Sequence, residues 1–322
     1  MNLKKIFLAA CIASAVVSVP ASAGVLGVAD LAITGLALVT ATGQQAIVGG
    51  ITIVGDQRTG AATANYNGVT AGGVGPSSIT DNGTTVDVKY RCAGPDCAAA
   101  AALYSTGGQA VGTTDAQPEN NLHTHIMVPT LNYALGDMVI AGTAISGPGA
   151  NGLTRADSSV AGPTNKGGSQ GNINNGVEAV STTTFTLGDG STTGGPIDAQ
   201  FVLSYDVFRK VFVDAPAGKG IATAGTTFVL ELSSNDPDFV NLTFAPSALN
   251  GTFSSFSNAG NKQFSDTGVA LSGVRTLTSG FTYTVTVTQS SISSASEIPE
   301  PASVLLVGLS LLGLGVARRR RG

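Results

Sequence analysis

The dominant pattern along the chain is alternation of polar and apolar side chains, which predicts strands. Residues 84–90, Thr-Thr-Val-Asp-Val-Lys-Tyr, alternate as a half-buried strand must, because successive side chains point to opposite faces. Residues 281–288 alternate more strictly, with Phe281, Tyr283, Val285 and Val287 on one face and threonines on the other. Residues 202–213, 226–232 and 240–244 are further β-branched and aromatic runs, bounded by turn formers such as Asp214-Ala-Pro-Ala-Gly218 and Asn235-Asp-Pro-Asp238. A helix is suggested only around residues 97–104, where five alanines run together. Many short strands rich in Gly, Thr and Ser predict an all-β, antiparallel β-sandwich-like body. A parallel β-helix is the alternative, although no repeat of about 20 residues is visible. Residues 146–176 are rich in Gly, Asn, Ser and Pro and read as a loop or linker. The expected organisation is therefore a β-rich region at 24–147, a loop or linker at 148–176 and a second β-rich region at 177–297.

Both ends depart from this pattern. At the N-terminus, Lys4 and Lys5 precede an apolar stretch, residues 6–19, and Ala21-Ser22-Ala23 forms a small-residue cleavage site before Gly24. Residues 1–23 are read as a Sec signal peptide cleaved between Ala23 and Gly24. Leu8-Ala9-Ala10-Cys11 also fits a lipoprotein lipobox, the competing reading of the same stretch. At the C-terminus, Ile298-Pro-Glu-Pro301 is followed by an uncharged apolar run, residues 302–317, and by Arg318, Arg319, Arg320 and Arg321. As a helix that run rises about 24 Å, slightly less than a hydrocarbon core of about 30 Å. It is expected to span the bilayer upright. The arginines cost roughly 2.5 kcal/mol or more each near the bilayer centre, so they anchor the cytoplasmic side and set the orientation N-terminus out. Pro299 and Pro301 disfavour helix before the membrane and keep Glu300 in an extended segment suited to a processing enzyme.

Pro-Glu-Pro, a short apolar helix and an arginine cluster in that order resemble the PEP-CTERM sorting signal of Gram-negative bacteria, over residues 298–322. The resemblance implies that a membrane-embedded, transpeptidase-like exosortase recognises Pro299, Glu300 and Pro301, removes the helix and sends the body to the outer surface or into exopolysaccharide.

Charge narrows the list of partners. Between residues 24 and 297 there are ten Lys and Arg against nineteen Asp and Glu, a net charge of −9. That sign argues against nucleic acid or anionic lipid as a partner of the body. Charged residues make up 11% of the chain, against about 25% in an ordinary domain, so solubility rests on Ser, Thr, Asn and Gln. Cys92 and Cys97, with Gly94-Pro95 turning the chain between them, are expected to form a small-loop structural disulfide outside the cytoplasm.

Patterns that carry chemistry elsewhere fall in unsuitable contexts here. Gly167-Gly-Ser-Gln-Gly171 matches a nucleophile elbow, but no strand–turn–helix is expected around Ser169 and both histidines lie upstream. Gly147-Pro-Gly-Ala-Asn-Gly152 fits a dinucleotide fingerprint without a crossover helix, and reads as a turn. His123 and His125 would share one face of a strand, half of a metal site that Asp115 or Glu119 would have to complete. Asp189-Gly-Ser191 and Asn235-Asp-Pro-Asp238 offer oxygen ligands, but ordinary Asx turns explain them better. No catalytic residue, metal or cofactor is expected.

The chain is thus expected to be a non-enzymatic surface or matrix protein, exported by Sec, passing through the inner membrane and deposited in exopolysaccharide. An exported polysaccharide hydrolase and a calcium-dependent lectin-like module are the alternatives.

Overall fold

The computed structural model describes residues 24–45, 47, 50–71, 78–81, 85–104, 130–161, 166–172, 181–187, 195–214, 220–257 and 260–297. In chain order the strands are β1 (Gly24–Thr40), β2 (Ile51–Tyr66), β3 (Val69–Thr70), β4 (Ser78–Asp81) and β5 (Thr85–Ala93), followed by a helix α1 (Cys97–Tyr104). Then come β6 (Tyr133–Thr143), β7 (Ser146–Val160), β8 (Lys166–Asn172), β9 (Ser181–Leu187), β10 (Ile197–Asp214) and β11 (Gly220–Ser234). The last described strands are β12 (Leu242–Phe244), β13 (Gly251–Ser255), β14 (Lys262–Leu271), β15 (Arg275–Leu277) and β16 (Thr282–Glu297). Sheet A has the order β14-β10-β1-β7-β6-β5, with β15 also on β10; sheet B runs β12-β11-β16-β8-β2-β3, with β13 on β11, β4 on β2, and β9 on both β16 and β2. Every strand pair among the described residues is antiparallel, which removes the parallel β-helix alternative. The two sheets face each other across a shared core.

Two expectations are corrected. The stretch read as a loop or linker carries β7, which lies between β1 and β6 in sheet A, and β8, which lies between β16 and β2 in sheet B. Strands from before and after it contribute to both sheets, so the described body does not divide there. The dinucleotide-like Gly147–Gly152 segment lies within β7 rather than in a turn.

The core between the sheets changes character along its length. At one end it is aromatic: Phe185, Phe201, Phe228, Phe244 and Tyr283 pack with Leu31 and Ile33 of β1. Phe185 stacks on Tyr283 at 5.4 Å between centroids, and Phe228 meets Phe244 edge-on at 6.3 Å. At the other end completely buried alanines, Ala29, Ala222, Ala224 and Ala295, pack with valines such as Val25, Val211 and Val213 instead of with phenylalanines. Gly27 lies at this end, where a Cβ would run into the carbonyl oxygens of Thr223 and Ser294. Sheets ordinarily pack about 10 Å apart. Here the approach is so close that backbone of one sheet meets backbone of the other.

Between these ends runs a polar seam joining β7 to β16. The Thr154 and Ser291 hydroxyls lie 3.0 Å apart and those of Ser158 and Ser293 2.8 Å apart. Ser291 Oγ donates to the Thr154 carbonyl at 2.9 Å, and Gln289 Nε2 donates to the Leu31 carbonyl at 2.6 Å. Because each buried hydroxyl or amide finds a partner on the facing sheet, the desolvation penalty is offset. Arg58 on β2 adds a cross-sheet tie, donating to Asp56 at 2.6 Å and to the Gly142 carbonyl at 2.7 Å.

The outer face of sheet A is also buried. Asp30 of β1, Arg155 of β7 and Asp137 of β6 stand in one row across three strands, and Arg155 Nη2 donates to Asp137 Oδ2. Arg155 is 0% and Asp137 2% exposed, so this pair is held in low dielectric, where removing one partner is far more costly than removing both. In the next row Asp157 lies between Val28 and Leu135. Burial first, and the Asp30 carboxylate second, push the Asp157 carboxyl well above the usual carboxylate range. The apolar residues of this face, Leu26, Val28, Tyr133, Leu135 and Phe208, are packed by Ala100 of α1 together with Cys92 and Cys97. Cys92 and Cys97 form a disulfide with Cα atoms 5.7 Å apart. It ties the end of β5 to the start of α1, and Asp96 Oδ2 accepts the Asn132 N–H at 2.7 Å to fix the same corner.

Gly27→Val is expected to lower unfolding stability by about 3 kcal/mol, because the opposing atoms are backbone and cannot turn aside. Gly35→Ala, at a positive φ with open space around it, should cost only about 1–2 kcal/mol. Chemical denaturation of the two variants side by side checks this. Asp157 supplies a pH test. Its folded pKa is raised, so its contribution to stability is present below the ordinary carboxylate value of 3.8 and is lost as pH climbs toward the raised value. Asp157→Asn should therefore flatten the decline, gaining stability relative to the parent as pH goes from about 4 to 7 in unfolding titrations.

Candidate functional site

Attention falls on the place where the sandwich hands over to the C-terminal segment. β16 is a central strand of sheet B, and its buried face runs Tyr283, Val285, Val287, Gln289, Ser291, Ser293, Ala295, Glu297 without a break. Pairing with β11 continues to the last residue, Gly220 opposite Glu297, and Glu297 is 5% exposed. Two residues later comes Pro299, which lacks the N–H a central strand needs, as does Pro301. Among the described residues, pairing runs to within two positions of the first of these prolines.

The start of β1 lies beside the end of β16. Gly24, the residue after the expected signal-peptide cleavage, is the first of β1 and pairs with Asp214. A Cβ on Gly220, the partner of Glu297, would come within 2.6 Å of Val25 Cγ2, 3.1 Å of Val213 Cγ1 and 3.7 Å of the Ser296 carbonyl. The start of β1 and the end of β16 therefore share one pole of the sandwich, the pole where the sheets approach most closely. Ala23, Pro299, Glu300, Pro301, the apolar run 302–317 and Arg318 to Arg321 lie outside the described residues. Among the described residues, no helix is long and apolar enough to cross a membrane.

The remaining residues singled out from sequence are placed as follows. Ser169 sits on β8, opposite Ser293 on one side and Ala64 on the other, in the interior of a sheet and not on a strand-to-helix turn. Asn235–Asp238 is a turn held by its own side chains: the Asp238 N–H donates to Asp236 Oδ1 at 3.0 Å, and Asn235 Oδ1 accepts from the Thr282 N–H at 2.8 Å. Beside it a shallow groove is lined by Asp238, Phe239, Val240, Val274, Arg275 and Thr276. The Arg275 guanidinium is directed to the carbonyls of Val240, Val274 and Asn241 rather than into the groove. His123, His125, Asp115, Glu119 and Asp189 to Ser191 lie outside the described residues.

Sequence reasoning missed the row Asp30, Arg155 and Asp137 on the outer face of sheet A and the Asp157 carboxyl in the row beside it. A signal was present in Arg155-Ala-Asp157, charges two apart in a chain that has few. Burial raises the Tyr133 hydroxyl's pKa, with Asp30 adding to the shift and Arg155 opposing it. A strongly shifted acid beside an ion pair is a pattern seen at catalytic sites. These side chains are at most 4% exposed, which makes them part of the packed face instead of a surface that meets substrate.

Comparison with known families identifies one segment. The description "PEP-CTERM protein-sorting motif" matches residues 297–321, beginning on the last residue of β16. No curated protein and no solved structure matches the chain. The apolar run and arginines after Pro-Glu-Pro are thus a sorting address joined directly to a folded β body, and the chain is an exported surface protein that carries a PEP-CTERM motif and is sorted by exosortase.

Proposed function

We propose that this protein is a non-enzymatic structural component of an exopolysaccharide matrix. Sec exports it, the run 302–317 holds it briefly in the inner membrane with Arg318 to Arg321 on the cytoplasmic side, and processing at Pro299-Glu300-Pro301 frees the body. The sorting motif at residues 297–321 is the observation that carries this reading. Two further features support it. The start of β1 and the end of β16 share one pole, so the body can be tethered at both ends to a single membrane until each tether is cut. With 11% charged residues and abundant Ser and Thr, its surface interacts with a hydrated polymer through hydroxyls rather than through ion pairs.

Mass spectrometry of the protein recovered outside the cell should find a C-terminus near Glu300 and no arginine tail. Pro299→Ala combined with Glu300→Ala should lower the released fraction by roughly tenfold or more, about 1.4 kcal/mol in the recognition step, and leave the intact chain in the membrane fraction. Released protein that still carries Arg318 to Arg321 would remove the sorting route. Incubation of the processed protein with the host's own polymer should give retention without shortening of the polymer. Shortening would replace the structural role by hydrolysis, and retention abolished by a chelator would replace it by calcium-dependent binding.

A further inference from the structure

β14 is an edge of sheet A: among the described residues it pairs with β10 on one side and with no strand on the other. Edge strands in folded proteins are ordinarily blunted by bulges, prolines or charges that point into the pairing zone. β14 pairs with β10 over ten consecutive residues without a bulge, and it contains no proline. Its charges are Lys262, at its first position, and Asp266, whose carboxylate accepts the Tyr205 hydroxyl at 2.9 Å. Gln263, Ser265, Thr267, Val269 and Leu271 are exposed, with Val269 at 64% and Leu271 at 46%.

Hydrogen bonds at the two ends of β14 fix which backbone groups point outward. The Ser272 N–H donates to the Phe201 carbonyl at 2.9 Å, one step beyond the pairing of Leu271 with Val202. At the other end the Asn261 side chain takes both backbone groups of Val213, accepting its N–H at 2.7 Å and donating to its carbonyl at 3.3 Å. Residues along an antiparallel strand alternate between facing the partner and facing away. The even-numbered residues of β14 therefore face β10, while Gln263, Ser265, Thr267, Val269 and Leu271 direct their N–H and C=O groups away from the sheet.

That outward set is symmetric about Thr267. A two-fold axis normal to the sheet at Thr267 sets Thr267 against itself, Ser265 against Val269 and Gln263 against Leu271, with every outward group used. In the intervening pairs Phe264 meets Ala270 and Asp266 meets Gly268, so no like charges face one another. Moving the axis to Asp266 leaves Leu271 without a partner and brings two Asp266 carboxylates together, which is unfavourable. We infer that β14 is the contact through which a second copy of this chain pairs, extending sheet A across a two-fold axis at Thr267.

Sedimentation of the processed protein at concentrations up to about 50 µM should show a dimer. Thr267→Pro removes an outward N–H while leaving the β10 side paired, a position where an edge strand tolerates proline. It should lower the dimer association constant by at least roughly tenfold with the circular dichroism spectrum unchanged. Thr267→Cys should form a disulfide-linked dimer on mild oxidation, since Cα atoms directly opposite lie about 5.5 Å apart. If Thr267→Pro does not fold, the cysteine variant decides, because cross-linking no better than that of Val240→Cys, away from β14, overturns the inference. A parent protein that stays monomeric, a Thr267→Pro variant that remains dimeric, or a β14 edge occupied only by a strand of another protein would each overturn it as well.

Discussion

The close approach of the two sheets beside Gly27 is the constraint on which the rest of the sandwich depends. Where backbone meets backbone at Gly27 there is no room for a side chain, and the alanines around it, Ala29, Ala222, Ala224 and Ala295, contribute less apolar area per residue than aromatics do. The aromatic cluster at the opposite end supplies the bulk of the hydrophobic burial. The polar seam of Thr154, Ser158, Gln289, Ser291 and Ser293 bridges the transition, because hydroxyls short enough to fit the narrowing gap can also bond across it.

Placing the narrow end where β1 begins and β16 finishes has a mechanical consequence. Both strands are interior to their sheets, paired on each side, and both terminate against the opposing sheet at this pole. The last residue of β16 and the first residue of the sorting motif are the same, Glu297, and in sequence Ile298 alone separates it from Pro299. In sequence the described body and its address thus adjoin.

Charge is used in an unusual place. A chain with few ionisable groups buries several of them on the outer face of sheet A and ties Arg58 into the junction between sheets. Buried ion pairs seldom add net stability over apolar residues of the same shape, but a mispaired register would strand a charge in low dielectric. The row Asp30, Arg155, Asp137 sits across β1, β7 and β6, so a slip of one residue between any two of those strands would separate it.

Much of this was legible from residues alone, and the failures share a cause. Alternation in residues 281–288 marked the first half of β16. Its second half was hidden because the buried positions are Gln289, Ser291 and Ser293, which look like solvent-facing residues until Thr154 and Ser158 are found opposite them. β7 was read as part of a linker for the same reason: its Gly, Asn and Ser content answers to a close neighbour rather than to water. β1 shows no alternation because nearly all of it is buried on both faces. By itself the sequence determined the sorting address and the β class, since a linear signal and a period of two are local properties of the string. Only the tertiary structure decided which polar residues lie inside, because their hydrogen-bond partners stand as many as 258 positions away and are brought opposite by the fold.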